Sequence, residues 1–361
     1  NQTKKPVRSI LRPTTVGEPE VAITIKPLEE SARTQHSLDP KMGEQVEVPF
    51  SLAVLDMADA QGHQSPSTLA SLSHACQEWG FFRVANHGIP RELLGCVSSL
   101  SKELFSLPPH SKDKAGPSSS LKTYTPPFIV SPFFESFRVS GPDFAGSAKS
   151  TAERLLEEPR AEFWDALGEY GNKMVDLSRK IMAILLTMLG EGMERYHESE
   201  FGRCHGYLRI NSYSPNCKKD GVEGLGMHTD MSCITILYQD AVGGLQVRSR
   251  AGEWVDVSPC EETLVVNIGD LLQAWCNGRL RSSYHRVLSN GSNSRLSLAF
   301  FWSFEDEKVV RAPQELIQEG RNRVYKPFLC LDYVRFREEG NNKEMKEKVG
   351  RTVDDFALDK A

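Results

Sequence analysis

The sequence predicts a mixed α+β protein, with a β-sandwich, jelly roll or barrel in its second half and helices ahead of it. Two patterns carry that reading. From about residue 204, short strand-like segments follow one another, separated by turn signals such as GG, AG, NG and SNGSN. That is the texture of an all-β core. Ahead of it, Phe163, Leu167, Tyr170, Met174, Leu177, Ile181, Ile184 and Met188 recur at alternating steps of four and three. This spacing draws one continuous apolar face on a long helix, suited to packing along a sheet.

The elements follow in order. Residues 1–46 have few large apolar side chains and no sustained period, so they are expected to form a partly disordered tail. VPFSLAVLDMAD reads as a first strand, and SPSTLASLSHACQEWG as a helix. Ser65 is placed to cap that helix, and Pro66 suits its first turn. Leu69, Leu72, Cys76 and Trp79 then form its buried stripe. GFFRVANHG is a strand, PRELLGCVSSLSKELFSLP a second helix, and 108–150 a loop-rich stretch heavy in Pro, Ser, Gly and Phe. The expected division is a tail at 1–46, an N-terminal region at 47–150, a long-helix region at 151–200, a core at 201–305 and a mixed helical end at 306–361. Core strands are expected at YLRINSY, CITILYQD, GLQVRS, EWVDVS, TLVVNIG, SYHRVLS and RLSLAFFWSF. The charged run REEGNNKEMKEK near the C-terminus reads as a solvated face.

Composition narrows the function classes. The chain has 361 residues, 39% hydrophobic and 25% charged, with a net charge of −5. No basic field invites nucleic acid, and no apolar run approaches a bilayer span. The cysteines form no C-x-x-C pair or dense cluster, which argues against a zinc module or a disulfide scaffold. The N-terminal segment has no signal-peptide h-region, so the expected compartment is the cytoplasm.

The chemistry concentrates in GLGMHTDMSCITILYQD, where His228 and Asp230 precede an alternating apolar run. Non-haem Fe(II) is held by two histidines and a carboxylate that leave coordination positions open. Of the nine histidines, only His285, in SSYHRVLSN, lies further along the β-rich half. A lone H-x-D is common by chance; its combination with His285 and with two polar strand faces carries the weight. Arg295 and Ser297 share one face of a later strand, and Asn211 and Tyr213 share one face of an earlier strand. A guanidinium and a hydroxyl together can hold a carboxylate. His87 reads instead as a structural loop residue.

At these motifs the chain resembles the plant-type 2-oxoglutarate/Fe(II)-dependent dioxygenases, with a gibberellin-oxidase-like flavour. The resemblance runs from about 47 to 340. It rests on ACQEWGFFRVANHGIP, HTDMSCITILYQDAVGGLQV, LVVNIGDLLQAWCNGRLRSSYHRV and RLSLAFF. It implies a double-stranded β-helix (jelly-roll) core with flanking helices. His228, Asp230 and His285 would then bind Fe(II). Arg295 and Ser297 would take the distal carboxylate of the co-substrate 2-oxoglutarate, with Asn211 and Tyr213 in support. O2 would be the second substrate, ascorbate an activator, and the protein a monomer with no nucleic-acid or membrane partner.

The sequence departs from gibberellin oxidases in three places. SPFFES stands for their LPWKET, NSYSPNC for NYYPPC, and Ser303 and Phe304 follow Trp302 where many relatives carry proline. The substrate therefore does not follow from the resemblance. Tyr124, Phe128, Phe133, Phe134, Phe301, Trp302 and Phe304 are candidate pocket walls, which would favour a hydrophobic plant small molecule, first a gibberellin-type diterpenoid. Oxygenation of another specialised metabolite such as a flavonoid or alkaloid, oxidation without 2-oxoglutarate, and a receptor role remain open on the sequence.

Overall fold

The computed structural model describes residues 51–58, 64–116, 123–127, 131–158, 160–215, 221–289, 291, 293–317, 322–339 and 350–359. The expected tail at 1–46, and Phe128, lie outside them. In chain order the elements begin with β1 (Val54–Asp56), α1 (Pro66–Glu78), β2 (Phe81–Ala85), α2 (Arg91–Ser106) and α3 (Pro109–Lys112). Next come β3 (Tyr124–Thr125), β4 (Phe134–Ser140), α4 (Phe144–Leu155), α5 (Ala161–Leu189) and α6 (Tyr196–Phe201). The core strands are β5 (His205–Tyr213), β6 (Val222–His228), β7 (Ile234–Gln239), β8 (Leu245–Arg248), β9 (Trp254–Asp256) and β10 (Thr263–Ile268). After α7 (Asp270–Trp275) come β11 (His285–Ser289), β12 (Arg295–Ser303), β13 (Val309–Val310), β14 (Phe328–Leu329), α8 (Cys330–Glu339) and α9 (Val353–Ala357).

Two sheets make the core. The larger has eight strands in the order β1-β2-β10-β7-β12-β5-β4-β3, and the smaller has four, β6-β11-β8-β9. Register sorts the side chains of the larger sheet into two faces, since paired residues point the same way. Arg295 pairs with Tyr213 and Ser297 with Asn211, while Ala299 pairs with Arg209 and Phe301 with Tyr207. These side chains face inward, toward the smaller sheet. There Phe81, Phe134, Tyr213, Leu245, Val247, Val265 and Val287 form an inner apolar cluster. The alternate residues Leu296, Leu298, Phe300 and Trp302 belong to the larger outer cluster, together with the buried side chains of α5.

Helix α5 has 29 residues, about 44 Å at 1.5 Å per residue. Phe163, Leu167, Tyr170, Met174, Leu177 and Ile181 are buried on the face the spacing predicted. Towards its end Met182, Leu185, Leu186 and Leu189 are buried too, so the apolar stripe widens beyond one face. Gly171 lets α4 come close: a Cβ there would stand 2.3 Å from Cγ of Phe144. In α1, the Ser65 side chain accepts from the Thr68 amide at 3.1 Å, as the capping pattern predicts.

Two expectations need correction, and one strand was not foreseen. The described residues of the stretch 108–150, expected to be loop-rich, hold α3, β3, β4 and the first turns of α4. Strand β4 (FESFRVS) is packed on both faces, and its inward residues Ser136 and Arg138 are polar, so no clean alternation marks it. β6 (VEGLGMH) also escaped notice, because Gly224 and Gly226 weaken the strand signal. Gly224 sits where a Cβ would be 2.8 Å from the Tyr213 ring. Finally, the charged run near the C-terminus is not wholly solvated. Its first residue, Arg337, reaches in to pair with buried Asp270 at 2.6 Å. No helix among the described residues is long and apolar enough to cross a membrane.

Candidate active site

The two sheets meet at three side chains. His228 ends β6 and His285 opens β11; the two are direct cross-strand partners. Asp230 lies just beyond His228 and is tied to the larger sheet. Its Oδ2 accepts from the Thr235 hydroxyl at 2.6 Å and from the Asn267 amide at 2.8 Å. That leaves Oδ1 facing the imidazoles, 3.7 Å from Nε2 of His228 and 3.6 Å from Nε2 of His285. One ligand atom from each of the three lies within 4.8 Å of the others.

The histidines are set up as ligands by their other nitrogen. Nδ1 of His228 lies 2.8 Å from the Gly226 carbonyl, and Nδ1 of His285 lies 3.1 Å from the Ser283 carbonyl. A carbonyl only accepts, so each Nδ1 carries the hydrogen and each Nε2 presents a lone pair to the shared space. Burial, followed by the neighbouring His285, pushes the His228 pKa down to about 4, which keeps that imidazole neutral at physiological pH. Burial opposes ionisation of Asp230. The two imidazoles and the bonds from Thr235 and Asn267 outweigh it, and the carboxyl stays below its usual range. Two imidazoles and one carboxylate, converging on one space, are the donor set of a divalent iron centre.

The loop between the ligands is braced from the far end of the chain. Arg337 of α8 donates to the Thr229 carbonyl at 2.7 Å and to Oδ2 of Asp270 at 2.6 Å. The Thr229 hydroxyl donates to the same Asp270 oxygen at 2.9 Å, and the Asp270 amide donates to the Asp230 carbonyl at 2.8 Å. Gly269 permits that approach, since a Cβ there would meet the Ser232 carbonyl oxygen at 2.0 Å.

Further down the inner face lies a second polar group. Arg295 is buried, 3% exposed. Its Nη1 donates to Ser297 Oγ at 3.0 Å and its Nη2 to the side-chain Oε1 of Gln239 at 3.3 Å, and its guanidinium lies 4.7 Å from the Tyr213 ring centroid. Its Nε and the side-chain oxygen of Asn211 have no hydrogen-bond partner among the described residues. Burying a cation without a counter-ion is expensive. The arrangement is therefore incomplete without an anion, and a dicarboxylate reaching from the iron ligands suits it.

The expected pocket walls separate by strand parity. Phe301 faces inward and is half-buried, its ring stacked 4.8 Å from that of Tyr207. Phe134 also faces inward but is buried against Tyr213, at the Arg295 end. Phe133 is half-buried in the turn before β4. Trp302 and Phe304 must be withdrawn as walls: they lie in the outer cluster, stacked on Phe201 at 6.2 and 5.1 Å. Tyr124 must be withdrawn too. It is buried against Phe137 of the outer cluster, and its hydroxyl donates to Glu135 at 2.7 Å. Thr235, Asn267 and Arg337 are site residues that the sequence motifs do not mark. A polar Asn267 inside the apolar run LVVNIG was the one signal that could have pointed to them.

Comparison with known proteins agrees with this geometry. Residues 204–303 match the 2OG-Fe(II) oxygenase superfamily, and residues 52–132 match the family described as non-haem dioxygenase in morphine synthesis N-terminal. A gibberellin 20-oxidase-like protein of Arabidopsis thaliana is 50% identical over 84% of this chain and 97% of its own length. The chain belongs to the 2OG-Fe(II) oxygenase superfamily. Feruloyl CoA ortho-hydroxylase 1 of Arabidopsis thaliana is 34% identical, over 80% of each chain. Among solved structures, the rice dioxygenase for auxin oxidation gives a TM-score of 0.72 at 29% identity, over 85% of this chain and 100% of that one. The structure of JOX2 in complex with 2OG, Fe and JA gives 0.69 at 27% identity, over 80% and 85%. This oxygenase is an iron- and 2-oxoglutarate-dependent enzyme with a double-stranded β-helix core, and His228, Asp230 and His285 form its facial triad.

Proposed function

We propose that the enzyme oxidises a hydrophobic plant small molecule, with a gibberellin-type diterpenoid as the first substrate to test. The observation that carries this reading is the inner wall beside the triad. Phe301, Tyr207 and Leu237 are half-buried there rather than closed into the core. Such a wall favours apolar rings by removing water from both surfaces and offers a sugar or amino acid little return for lost hydration. The gibberellin 20-oxidase-like relative, and Gibberellin 3-beta-dioxygenase 1 of Arabidopsis thaliana at 31% identity, support the choice of hormone class. The feruloyl CoA ortho-hydroxylases support a second reading, hydroxylation of another specialised metabolite.

When bound, Fe(II) with 2-oxoglutarate and O2 supplies the oxidising power for C–H cleavage, 2-oxoglutarate leaving as succinate and CO2. The chain's part is placement. The two Nε2 atoms and Oδ1 of Asp230 would hold the metal on one side. Arg295 and Ser297 would hold the distal carboxylate of 2-oxoglutarate, with Tyr213 packed under the guanidinium. Asn211 would offer its unpartnered oxygen to a donor near the same ligand. The half-buried inner wall would receive the substrate and keep water from the reacting carbon. No feature of the described residues asks for a second copy, and the enzyme is proposed to work as a monomer.

The test is a substrate screen. Purified enzyme with Fe(II), 2-oxoglutarate and ascorbate is offered gibberellins, feruloyl-CoA, flavonoids, alkaloids and small polar metabolites. Succinate release and product mass are read together, with His285→Ala as the blank. Product from gibberellins supports the first reading and product from feruloyl-CoA or a flavonoid the second. Turnover of polar metabolites alone would sink both.

A further inference from the structure

The short helix α7 carries two buried polar side chains, Asp270 and Gln273, three positions apart and so on one side of the helix. Asp270 braces the loop between His228 and Asp230, accepting from the Thr229 hydroxyl. Gln273 reaches the other ligand loop, the one that leads into His285. Its side-chain oxygen accepts from the Ser282 amide at 2.6 Å. One residue on, the Ser283 carbonyl is the acceptor for Nδ1 of His285 at 3.1 Å. One residue back, the Arg281 amide donates to the Cys76 carbonyl at 3.0 Å. The stretch that aims the His285 ring is therefore held at successive peptides, and the hold nearest the histidine is the Gln273 side chain.

The far end of that amide is fixed by the C-terminal part of the chain. Nε2 of Gln273 donates to Tyr325 Oη at 2.8 Å and to Oδ1 of Asp354 at 3.2 Å. The Tyr325 hydroxyl donates to the same Asp354 oxygen at 2.7 Å. An amide nitrogen has no lone pair to offer, so only the Gln273 oxygen can meet the Ser282 N–H, and the two acceptors at 325 and 354 keep the group from turning over. Asp354 is itself carried on a docked element. In α9, Val353 and Ala357 are buried, and the Phe356 ring lies 5.4 Å from that of Phe328 and 5.5 Å from that of Tyr333. The residues just before α9 approach the other histidine: a Cβ on Gly350 would stand 3.9 Å from Cβ of His228.

We propose that Gln273 is a positioning residue for the iron ligand His285, oriented by Tyr325 and Asp354. One turn of α7 then sets both ligand loops, Asp270 the first and Gln273 the second. Helix α9 contributes to the iron geometry without touching the metal. What position 354 must supply is an oxygen that accepts from Tyr325 and Gln273 together, not a negative charge. What position 273 must supply is an acceptor on one side and donors on the other, which among the side chains of this length only glutamine has.

The test reads the metal site without turnover. The full chain is loaded with Co(II), and proton NMR follows the two exchangeable Nδ1–H resonances that the paramagnetic ion shifts, one for each histidine. Chelator competition gives the Co(II) affinity of the same samples. Gln273→Met is expected to move or broaden one of the two resonances, leave the other in place and weaken Co(II) about tenfold, the lower end of the range for losing a group that orients a ligand. Asp354→Ala should act in the same direction to a smaller degree, and Asp354→Asn, which keeps the accepting oxygen, should match wild type. Gly171→Ala, which loosens the packing of α4 on α5 away from the ligands, should leave both resonances and the affinity unchanged. Resonances and affinity unmoved in Gln273→Met and Asp354→Ala would overturn the proposal. So would equal movement of both resonances, which would mean a general loosening, and so would an Asp354→Asn protein as impaired as Asp354→Ala. Should Gln273→Met fail to fold, the two Asp354 variants decide by the same criteria.

Discussion

The two oxygens of Asp230 have different partners, and the difference has a measurable cost. Oδ2 is held by Thr235 and Asn267, which frees Oδ1 for the metal. Asn267→Leu removes one donor without enlarging the core. It should lower iron affinity about 10- to 100-fold, the usual effect of losing a group that orients a ligand, with circular dichroism unchanged. Unaltered iron retention after dialysis would show that Thr235 alone suffices. Arg295 makes a similar argument for the proposed 2-oxoglutarate site. Arg295→Ala leaves a docked carboxylate uncompensated, which costs about 3–5 kcal/mol, a hundredfold or more in affinity. Titration of the anaerobic Fe(II) protein with 2-oxoglutarate reads it directly, and unchanged affinity would point to another anchor. At this scale the triad was legible because H-x-D and a later histidine in a strand form a rare combination. The pocket walls were not, although the rule was available: the alternation that puts Arg295 and Ser297 inward also puts Phe301 inward and Trp302 outward. Thr235 and Asn267 reach Asp230 from two separate strands, and spacing along one chain cannot show that.

Elements whose buried residues keep a period or form an apolar run announce themselves, and elements of mixed pattern do not. Helix α5 and strand β5 were readable because their buried residues largely keep a period, and β7, β10 and β12 because they are mainly apolar runs buried over most of their length. Strand β4 turns one face to the outer core and the other, with Ser136 and Arg138, to the site. Its mixed pattern is the mark of that double duty. Helix α4 carried a readable start: Asp143 accepts from the Gly146 amide at 2.8 Å. Its packing depends on what α5 lacks. Gly171→Ala drives a methyl group into the Phe144 ring, which has Phe300 5.8 Å away on the sheet. Overpacking of this kind costs about 1–3 kcal/mol. A lowered melting temperature is expected, with 2-oxoglutarate affinity retained. A variant as stable as wild type would mean that α4 can slide along α5.

Across the whole molecule, residues far apart in sequence converge on one short loop. Arg337 comes from α8, Asp270 from α7 and Thr229 from between the ligands. Burial pushes the Asp270 carboxyl up, against the Arg337 guanidinium that opposes it. Arg337→Ala should therefore destabilise the fold by about 3–5 kcal/mol through the stranded carboxylate. Arg337→Ala combined with Asp270→Asn should recover part of that loss, measured by denaturant midpoints. No recovery would mean that the bond to the Thr229 carbonyl is the main one. This convergence was hidden because Arg337 stands at the start of a charged run, where a solvent-facing reading is the ordinary one.

The triad also straddles the sandwich: both histidines hang from the smaller sheet, while Asp230 is fastened to the larger. An ion held by all three is thus a cross-link as well as a reagent. A ligand that binds only the folded state adds RT ln(1 + [L]/Kd) to its stability, about 2.7 kcal/mol at a hundredfold excess over Kd. Thermal unfolding should therefore shift upward with added Fe(II) or Mn(II) and fall back on chelation. Asp230→Ala protein should show no such shift, because its two sheets are no longer tied through the metal. If chelator leaves the wild-type transition where it was, the inner apolar cluster alone holds the sandwich shut. The enzyme could then lose its iron without any change in thermal stability to reveal it.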